Sequence, residues 1–71
     1  MSKNITNCHI GRKIILRRKF LDMTQQDLAT ISGIDLQQLV RYETGVDRPD
    51  TESLLTIAKA LNVEVDYFHI N

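Results

Sequence analysis

Features that stabilise very small proteins from outside the hydrophobic core are scarce in this sequence. Cys8 is the only cysteine among 71 residues, so no disulfide can form within the chain. Cys8, His9 and His69 are the only soft metal ligands, and they lack the two spaced pairs of a structural zinc site. We therefore expect no metal, and nothing in the sequence indicates another cofactor. A lone cysteine is typical of a reducing compartment, which favours a cytoplasmic protein.

Long apolar runs and a net charge are missing as well. The longest apolar run covers only residues 14–16, far too short for the core of a signal peptide or a membrane span, so no membrane partner is expected. Nine basic residues balance nine acidic ones, and a net charge of zero counts against a nonspecific polyanion binder. So short a chain buries a marginal core, which favours tight helix packing, with or without oligomerisation.

The charges are unevenly distributed along the chain. Residues 1–23 carry six basic side chains and one acidic one, whereas residues 24–45 carry one basic and three acidic ones. Residues 46–71 carry two basic and five acidic side chains. The basic segment is either a surface for a polyanion or a solvated helix face, and the charge pattern alone leaves both interpretations open.

The spacing of apolar residues predicts one all-α domain over residues 10–71, preceded by a flexible polar tail over residues 1–9. The five predicted helices cover residues 10–21, 25–32, 36–43, 51–61 and 63–70. The last of these segments is predicted as a final turn or short helix, and the alternation of apolar and polar residues over 63–68 leaves a strand as the alternative there.

Capping residues define the ends of the two central helices. Thr24, followed by Asp27 three residues later, matches the capping-box pattern of a helix start. Asp35 is the corresponding N-cap of the next helix. Gly33 and Gly45 follow the two helices at positions that favour a left-handed residue, because glycine adopts positive φ at little cost.

Residues 24–45 carry the most informative pattern, two short helices joined by a turn that contains Gly33. Ala29 lies four residues before this glycine and Leu39 six residues after it. Two helices that cross steeply at a short turn need a small side chain at their contact, here Ala29, while Ile34 and Leu39 fill the wedge between them. The outer face of the second helix is then free to enter a DNA major groove, which is wide enough for one helix.

With this spacing, the chain resembles the Cro/phage-repressor type of helix-turn-helix DNA-binding domain over residues 10–69. The matching residues are Ile10-Gly11, Arg17-Arg18-Lys19, Met23-Thr24-Gln25, Leu28-Ala29, Gly33-Ile34, Gln37-Gln38, Tyr42-Glu43, Gly45, Pro49, Leu54, Ile57-Ala58, Leu61 and Val63. Each dipeptide is unspecific, but the ordered set is specific. The resemblance implies a five-helix, lambda-repressor-like bundle whose third helix reads DNA bases. It also implies double-stranded DNA and a second copy of the chain as partners, and no small-molecule ligand.

Carried over to this sequence, the resemblance implies four base-facing residues, Leu36, Gln37, Gln38 and Arg41. Helix geometry supports this independently, because Gln37 and Arg41 are four residues apart and share a face, while Leu39 points into the core. A glutamine amide can pair with adenine, an arginine with guanine, and a leucine can touch a thymine methyl group. The alternative is that the polar side chains are ordinary exposed helix residues.

The resemblance further implies phosphate contacts from Thr24 and Gln25, and from Thr44 and Arg48 in the loop after the third helix. Free N–H groups and the positive end of the helix dipole at the start of the second helix favour an anion there. Thr24 can serve as the N-cap at the same time, because the cap uses its side chain. Arg48 can also be simply solvated.

Arg18 and Glu43 match a pair that forms an internal salt bridge in relatives, and the resemblance assigns them a structural role. Such a pair would tie the first helix to the end of the third. Tyr42, next to Glu43, either packs on the core or reaches a phosphate, and the sequence leaves both open.

The sequence departs from the family pattern on the first helix. Ile15, Leu16 and Phe20 are apolar where relatives are usually polar, and Asp22 stands where relatives often have glycine. We expect the C-terminal residues 67–70 to cover this apolar stripe, with a subunit contact as the second possibility.

These observations predict a sequence-specific DNA-binding transcriptional regulator, with repression as the preferred mode, that binds a two-fold operator as a dimer. From its length, we expect no separate ligand-sensing domain. The alternatives are a protein-interaction module of the same fold without DNA binding and an antitoxin-like autorepressor. An enzyme is not expected, because Cys8 and His9 are sequence neighbours in the predicted tail with no orienting acid nearby.

Overall fold

The structure, a computed structural model, describes residues 5–69, which form four α-helices and one 3-10 helix. The helices are α1 (Ile5–Phe20), α2 (Gln25–Ser32), α3 (Leu36–Glu43), α4 (Thr51–Ala60) and the 3-10 helix (Val65–His69). The prediction of an all-α fold is confirmed, and these residues contain no strand. No helix in this part of the chain is both long and apolar enough to cross a bilayer.

The predicted count of five α-helices is wrong, because the last segment is a 3-10 helix of five residues. Its i→i−3 geometry is visible where the Tyr67 N–H donates to the Glu64 carbonyl at 3.0 Å. A segment this short gains little from α-helical propagation, and single 3-10 turns are common in such pieces. Ile70, which the prediction included in this helix, lies outside the described residues.

Helix α1 begins at Ile5, five residues before the predicted start at Ile10. Residues 5–9 are therefore helical, and only residues 1–4 of the predicted tail lie outside the description. Cys8, in this first part of α1, lies against Gly45, where an added Cβ would be 2.7 Å from the Cys8 sulfur. This turn carries no apolar periodicity in the sequence, and the contact shown for it is made with Gly45, which has no side chain.

The four α-helices are each followed by a residue in the left-handed conformation. Gly33 and Gly45 have φ of 72° and 82°, while Asp22 and Asn62 both have φ of 59°. After α1, the N–H of Met23 donates to the Arg18 carbonyl at 2.9 Å, the bond that defines a Schellman ending. The left-handed conformation explains why relatives often have glycine at position 22. Aspartate is one of the few other residues that adopt this conformation, as Asp22 does here.

The core receives buried side chains from every one of the five elements. Its fully or nearly fully buried members are Ile10, Ile14, Leu28, Ala29, Leu39, Tyr42, Leu54, Ile57, Ala58, Leu61 and Phe68. Ala29 and Leu39 are buried and Ile34 packs against the same cluster, as the turn spacing predicted. Tyr42 belongs to the core as well, as the first of its two predicted roles requires, and a phosphate contact of its hydroxyl stays a prediction.

Gly11 lies where α1 passes directly against the end of α3. A Cβ added to it would lie 2.4 Å from the Tyr42 carbonyl oxygen and 2.5 Å from that of Glu43. Real Cβ atoms essentially never come this close to another heavy atom. Any larger residue at position 11 would therefore push the C-terminal end of α3 away from α1.

The C-terminal segment does not cover the apolar stripe of α1, contrary to the prediction. The side chains of Leu16 and Phe20 remain 56% and 75% exposed, while Ile15 is half-buried. The 3-10 helix packs beside a different face, where the Tyr67 hydroxyl donates to the Lys13 carbonyl at 3.4 Å. In this position the 3-10 helix places the ring of Phe68 completely inside the core.

Candidate nucleic-acid interface

A buried ion pair links α1 to the end of α3. Arg18 donates from Nε to Glu43 Oε2 at 2.9 Å and from Nη2 to Oε1 at 3.3 Å. Gln25, at the start of α2, donates from Nε2 to the same Oε1 at 2.9 Å. Burying two charges is costly unless both are paired and hydrogen-bonded. Here no buried side-chain nitrogen or oxygen of residues 5–69 lacks a partner.

This network determines how α2 and α3 are oriented. Arg18 also donates from Nη1 to the Met23 carbonyl at 2.9 Å, which holds the chain immediately before α2. The guanidinium thus joins α1, the connection to α2 and the last residue of α3 in one place. Because one N–H of the Gln25 amide is engaged with Glu43, the second amide N–H and the backbone N–H of Gln25 remain for the predicted phosphate contact.

Helix α3 has one buried and one exposed side. Leu39 and Tyr42 are buried, whereas Gln37 and Arg41 are exposed and Leu36 is 37% exposed. The division follows the 3.6-residue helical period, since Leu39 and Tyr42 are three residues apart on the inner face. Three of the four predicted base-facing residues therefore lie on the outer side of α3.

The fourth, Gln38, faces the following loop. Its half-buried amide donates from Nε2 to Asp47 Oδ2 at 3.0 Å. Asp47 also receives hydrogen bonds from Arg41, from Nε to Oδ2 at 2.6 Å and from Nη2 to Oδ1 at 3.2 Å. The hydrogen bonds from Arg41 and then Gln38 lower the pKa of the Asp47 carboxyl group. The same carboxylate raises the pKa of Arg41, chiefly through its hydrogen bond.

Asp47 was not predicted as a site residue, although the sequence contained a signal for it. Gly45 ends α3 in the left-handed conformation, so the chain turns back over the last helical turn. The backbone N–H groups of Val46 and Asp47 donate to the Arg41 carbonyl at 3.0 and 3.2 Å. A residue two positions after the glycine that ends a helix is therefore placed next to the side chains of the last helical turn.

The N-terminus of α2 is a capped helix start with free backbone donors. The Asp27 N–H donates to Thr24 Oγ1 at 2.9 Å, and the Thr24 N–H donates to Asp27 Oδ2 at 3.0 Å. The capping box predicted from the sequence is confirmed. The backbone N–H groups of Gln25 and Gln26 make no hydrogen bond to another described residue, and they point out of the helix end as helix geometry requires.

The two candidate phosphate residues after α3 are both exposed. Thr44 donates its hydroxyl to the Val40 carbonyl at 2.9 Å and retains the acceptor side of the oxygen. Arg48 makes no hydrogen bond or ion pair within residues 5–69, so its guanidinium is available to an external anion.

Most of the basic side chains of α1 contact the protein itself. Arg17 donates from Nε to the Leu61 carbonyl at 3.0 Å, at the C-terminal end of α4. The ammonium of Lys13 lies 4.3 Å from the centre of the Tyr67 ring, and Arg18 is buried. These contacts favour a structural role for the basic segment over a surface for a polyanion. The remaining exposed cations of α1 are Arg12 and Lys19.

The chain is similar in sequence to bacterial and phage regulators. It is 40% identical over 65 residues to an uncharacterized HTH-type transcriptional regulator of Sinorhizobium fredii, covering 92% of this chain and 46% of that protein. It is 35% identical over 57 residues to the cryptic phage CTXphi transcriptional repressor RstR of Vibrio cholerae, covering 80% of this chain and 51% of the repressor. The chain thus spans about half the length of the curated relatives it matches.

A solved structure and a family model agree with these relatives. The P22 c2 repressor protein in complex with a synthetic operator has a TM-score of 0.78 to this chain at 32% identity, covering 83% of this chain and 89% of the repressor chain. The family model described as Helix-turn-helix matches residues 14–68. The chain belongs to the helix-turn-helix family, in its Cro/phage-repressor type.

Proposed function

We propose that this chain is a sequence-specific DNA-binding transcriptional regulator, with repression as its preferred mode. The observation that carries the proposal is the two-sided α3, in which Leu39 and Tyr42 are buried while Gln37 and Arg41 face outward. A helix anchored on one side can insert its other side into a major groove, which is about 12 Å wide. The similarity to the P22 c2 repressor, solved with an operator, supports the proposal.

The outer residues of α3 supply the chemistry for reading bases. The Gln37 amide can donate to adenine N7 and accept from adenine N6, and Arg41 can donate to guanine O6 and N7. Each such two-bond contact contributes roughly 1–3 kcal/mol of discrimination against a wrong base. Leu36 can touch a thymine methyl group at the start of the helix. Gln38 engages Asp47 with one amide N–H, so its second N–H and its carbonyl oxygen are the groups it can offer to a base.

Phosphate contacts would fix α3 in its groove. The free N–H groups at the start of α2 and the hydroxyl of Thr44 are the proposed neutral donors, and Arg48 is the proposed cation. Thr24 would assist through its cap, which keeps the first turn of α2 in the geometry that presents Gln25. These contacts carry no sequence information and determine position and orientation instead.

Two copies of the chain are proposed to bind two half-sites about one helical turn apart. One copy offers few free cations and has no net charge, so a single half-site would be held weakly. The exposed Leu16 and Phe20 on α1 are the proposed subunit contact, because apolar side chains of this size gain from removal from water. With its bacterial and phage relatives, the protein is proposed to be cytoplasmic and associated with the nucleoid when bound.

The test is a pair of binding measurements by fluorescence anisotropy. Duplexes are first selected from a random pool, and the best duplex and a random one are then titrated with wild type and with the Gln37→Ala, Arg41→Ala double variant. We expect wild type to prefer the selected duplex by at least about 10³-fold and the double variant to lose most of that preference. The control variant Arg12→Ala removes one exposed positive charge from α1 and should retain the preference for the selected duplex.

A protein-interaction module without DNA binding is the second candidate function. It is favoured by the engagement of Lys13, Arg17 and Arg41 in contacts within the molecule and by the exposure of Leu16 and Phe20. An antitoxin-like autorepressor would combine such an interaction with operator binding. If wild type binds neither duplex at low salt, the DNA-binding proposal is wrong and the interaction module takes its place.

A further inference from the structure

We infer that Asp47 is a specificity-determining residue, which holds the side edge of the Arg41 guanidinium and directs its end toward guanine. The inference rests on the proposed function and adds to it a residue outside α3. The Asp47 carboxylate accepts from Arg41 Nε at 2.6 Å and from Nη2 at 3.2 Å, so it occupies one edge of the guanidinium with two hydrogen bonds.

The donors that remain on Arg41 are those that guanine needs. A guanidinium carries five N–H groups in a rigid plane, and Asp47 uses the one on Nε and one of the two on Nη2. Both N–H groups of Nη1 and the second of Nη2 remain, and one N–H of each nitrogen points away from the carbon stem to form the end of the plane. A two-bond contact to guanine O6 and N7 uses this end. The side chain is 53% exposed, so the end is accessible.

The carboxylate is itself held in position from two directions. The backbone N–H of Asp47 donates to the Arg41 carbonyl at 3.2 Å, and Asp47 Oδ2 accepts from Gln38 Nε2 at 3.0 Å. Arg41, Asp47 and Gln38 therefore form a closed set around one turn of α3. An arginine that is already oriented loses less side-chain freedom on binding, and this advantage is realised only where guanine stands opposite. Gln38 thus acts as a positioning residue for Asp47.

The opposite role for Asp47 would be to mask Arg41 from DNA. The two roles agree that removing the carboxylate raises affinity for any duplex, because one negative charge near the phosphates is lost. They disagree on discrimination. If Asp47 blocks Arg41, removing the carboxylate lets Arg41 contact guanine more strongly. If Asp47 orients Arg41, removing the carboxylate leaves the guanidinium without a fixed orientation and weakens its preference for guanine. The ratio of affinities for guanine and non-guanine duplexes is therefore the decisive quantity.

The experiment compares Asp47→Asn with Glu64→Gln, a variant that removes the same charge at an exposed position whose side chain makes no hydrogen bond or ion pair within residues 5–69. Each is titrated with the selected duplex and with a duplex in which the selected guanine is replaced in both half-sites. We expect the affinity ratio to fall about 10-fold in Asp47→Asn and to be unchanged in Glu64→Gln. Thermal unfolding verifies that both variants fold.

A double-mutant cycle separates orientation of Arg41 from a general effect. In the Arg41→Ala background, Asp47→Asn should no longer change the guanine ratio, because the residue on which Asp47 acts is gone. An unchanged or increased ratio in Asp47→Asn overturns the inference while leaving the proposed function intact. A wild-type protein that selects no guanine also overturns the inference, and one that binds no duplex overturns the proposed function with it.

Discussion

Gly11 in α1 meets the C-terminal carbonyl groups of α3 so closely that a Cβ there would lie 2.5 Å from the Glu43 carbonyl oxygen. The neighbour is backbone and is held in place by a helix, so it cannot move aside as a flexible side chain could. The distance between the first helix and the proposed reading helix is therefore determined by the absence of a single side chain.

Gly11→Ala is expected to destabilise the protein by roughly 1–3 kcal/mol, the usual range for inserting atoms into a packed site. The sign is informative, because alanine favours a helix interior over glycine by about 1 kcal/mol. Urea unfolding followed by circular dichroism measures the change. Gly33→Ala is the matched control: its Cβ would meet no atom within 4 Å, so its cost comes only from positive φ. A Gly11→Ala variant more stable than wild type contradicts the packing described above.

Removing one partner of the buried ion pair should nearly unfold the domain. Glu43→Ala leaves Arg18 charged and enclosed, which typically costs about 3–5 kcal/mol. That is comparable with the whole stability of a 71-residue domain, roughly 4–10 kcal/mol. The measurement is the urea midpoint of the variant relative to wild type.

Two controls make this prediction specific. Asp47→Ala breaks an exposed ion pair instead and should leave the midpoint almost unchanged. Replacing both partners by apolar residues, Arg18→Met with Glu43→Leu, should recover much of the lost stability, because no charge is then left buried. If Glu43→Ala unfolds at the wild-type midpoint, the pair does not hold α1 and α3 together.

The N-cap of α4 is expected to make stability depend on pH in acid. Asp50 accepts from the Ser53 N–H at 2.8 Å, and this hydrogen bond lowers the pKa of its carboxyl group from the ordinary 3.8. A carboxyl group whose pKa is lower in the folded state stabilises the fold above its unfolded-state pKa. That contribution is lost as the pH falls through the folded-state pKa.

Stability curves from pH 7 to pH 2 measure the effect. Asp50→Asn keeps an acceptor for Ser53 but cannot titrate, so its stability should fall less steeply than that of wild type below the ordinary carboxyl pKa. A direct NMR titration of Asp50 should give a midpoint below that of a model aspartate. Parallel stability curves for the two proteins would show that the cap does not depend on the charge.

Salt dependence should report the number of phosphates contacted. If each copy neutralises about three phosphates, a dimer neutralises about six, and the slope of log affinity against log salt is about −5. Arg48→Ala removes one proposed contact per copy and should reduce the slope to about −3.5. Lys59→Ala on α4, which also removes one exposed positive charge, is the control and should leave the slope unchanged. Equal slopes for wild type and Arg48→Ala would remove Arg48 from the interface.

Local hydrogen-bonding patterns explain why much of the fold could be predicted. The capping box of Thr24 and Asp27, the Asp35 cap and the left-handed Gly33 involve residues no more than a few positions apart. Their geometry depends on short-range contacts that the residue types already imply. The start of α1 could not be predicted this way, because its first turns are held by the loop at Gly45, far along the chain.

The candidate site divides along the same line. The outward position of Gln37 and Arg41 follows from their spacing relative to Leu39 on one helix. The hydrogen bond between Gln38 and Asp47 depends on how the chain turns after α3. The distance between these two side chains cannot be read from the spacing of residues in the sequence. The exposure of Leu16 and Phe20 depends on which face the last segment occupies.

Short-range geometry and the helical period suffice to predict the helix-turn-helix unit, its caps and the outer face of its second helix. The close contact of α1 with α3 at Gly11 and the ion pair of Asp47 with Arg41 arise only in the folded chain. Both relationships are distances of a few ångströms between groups on separate segments, and such distances exist only once the whole chain has packed.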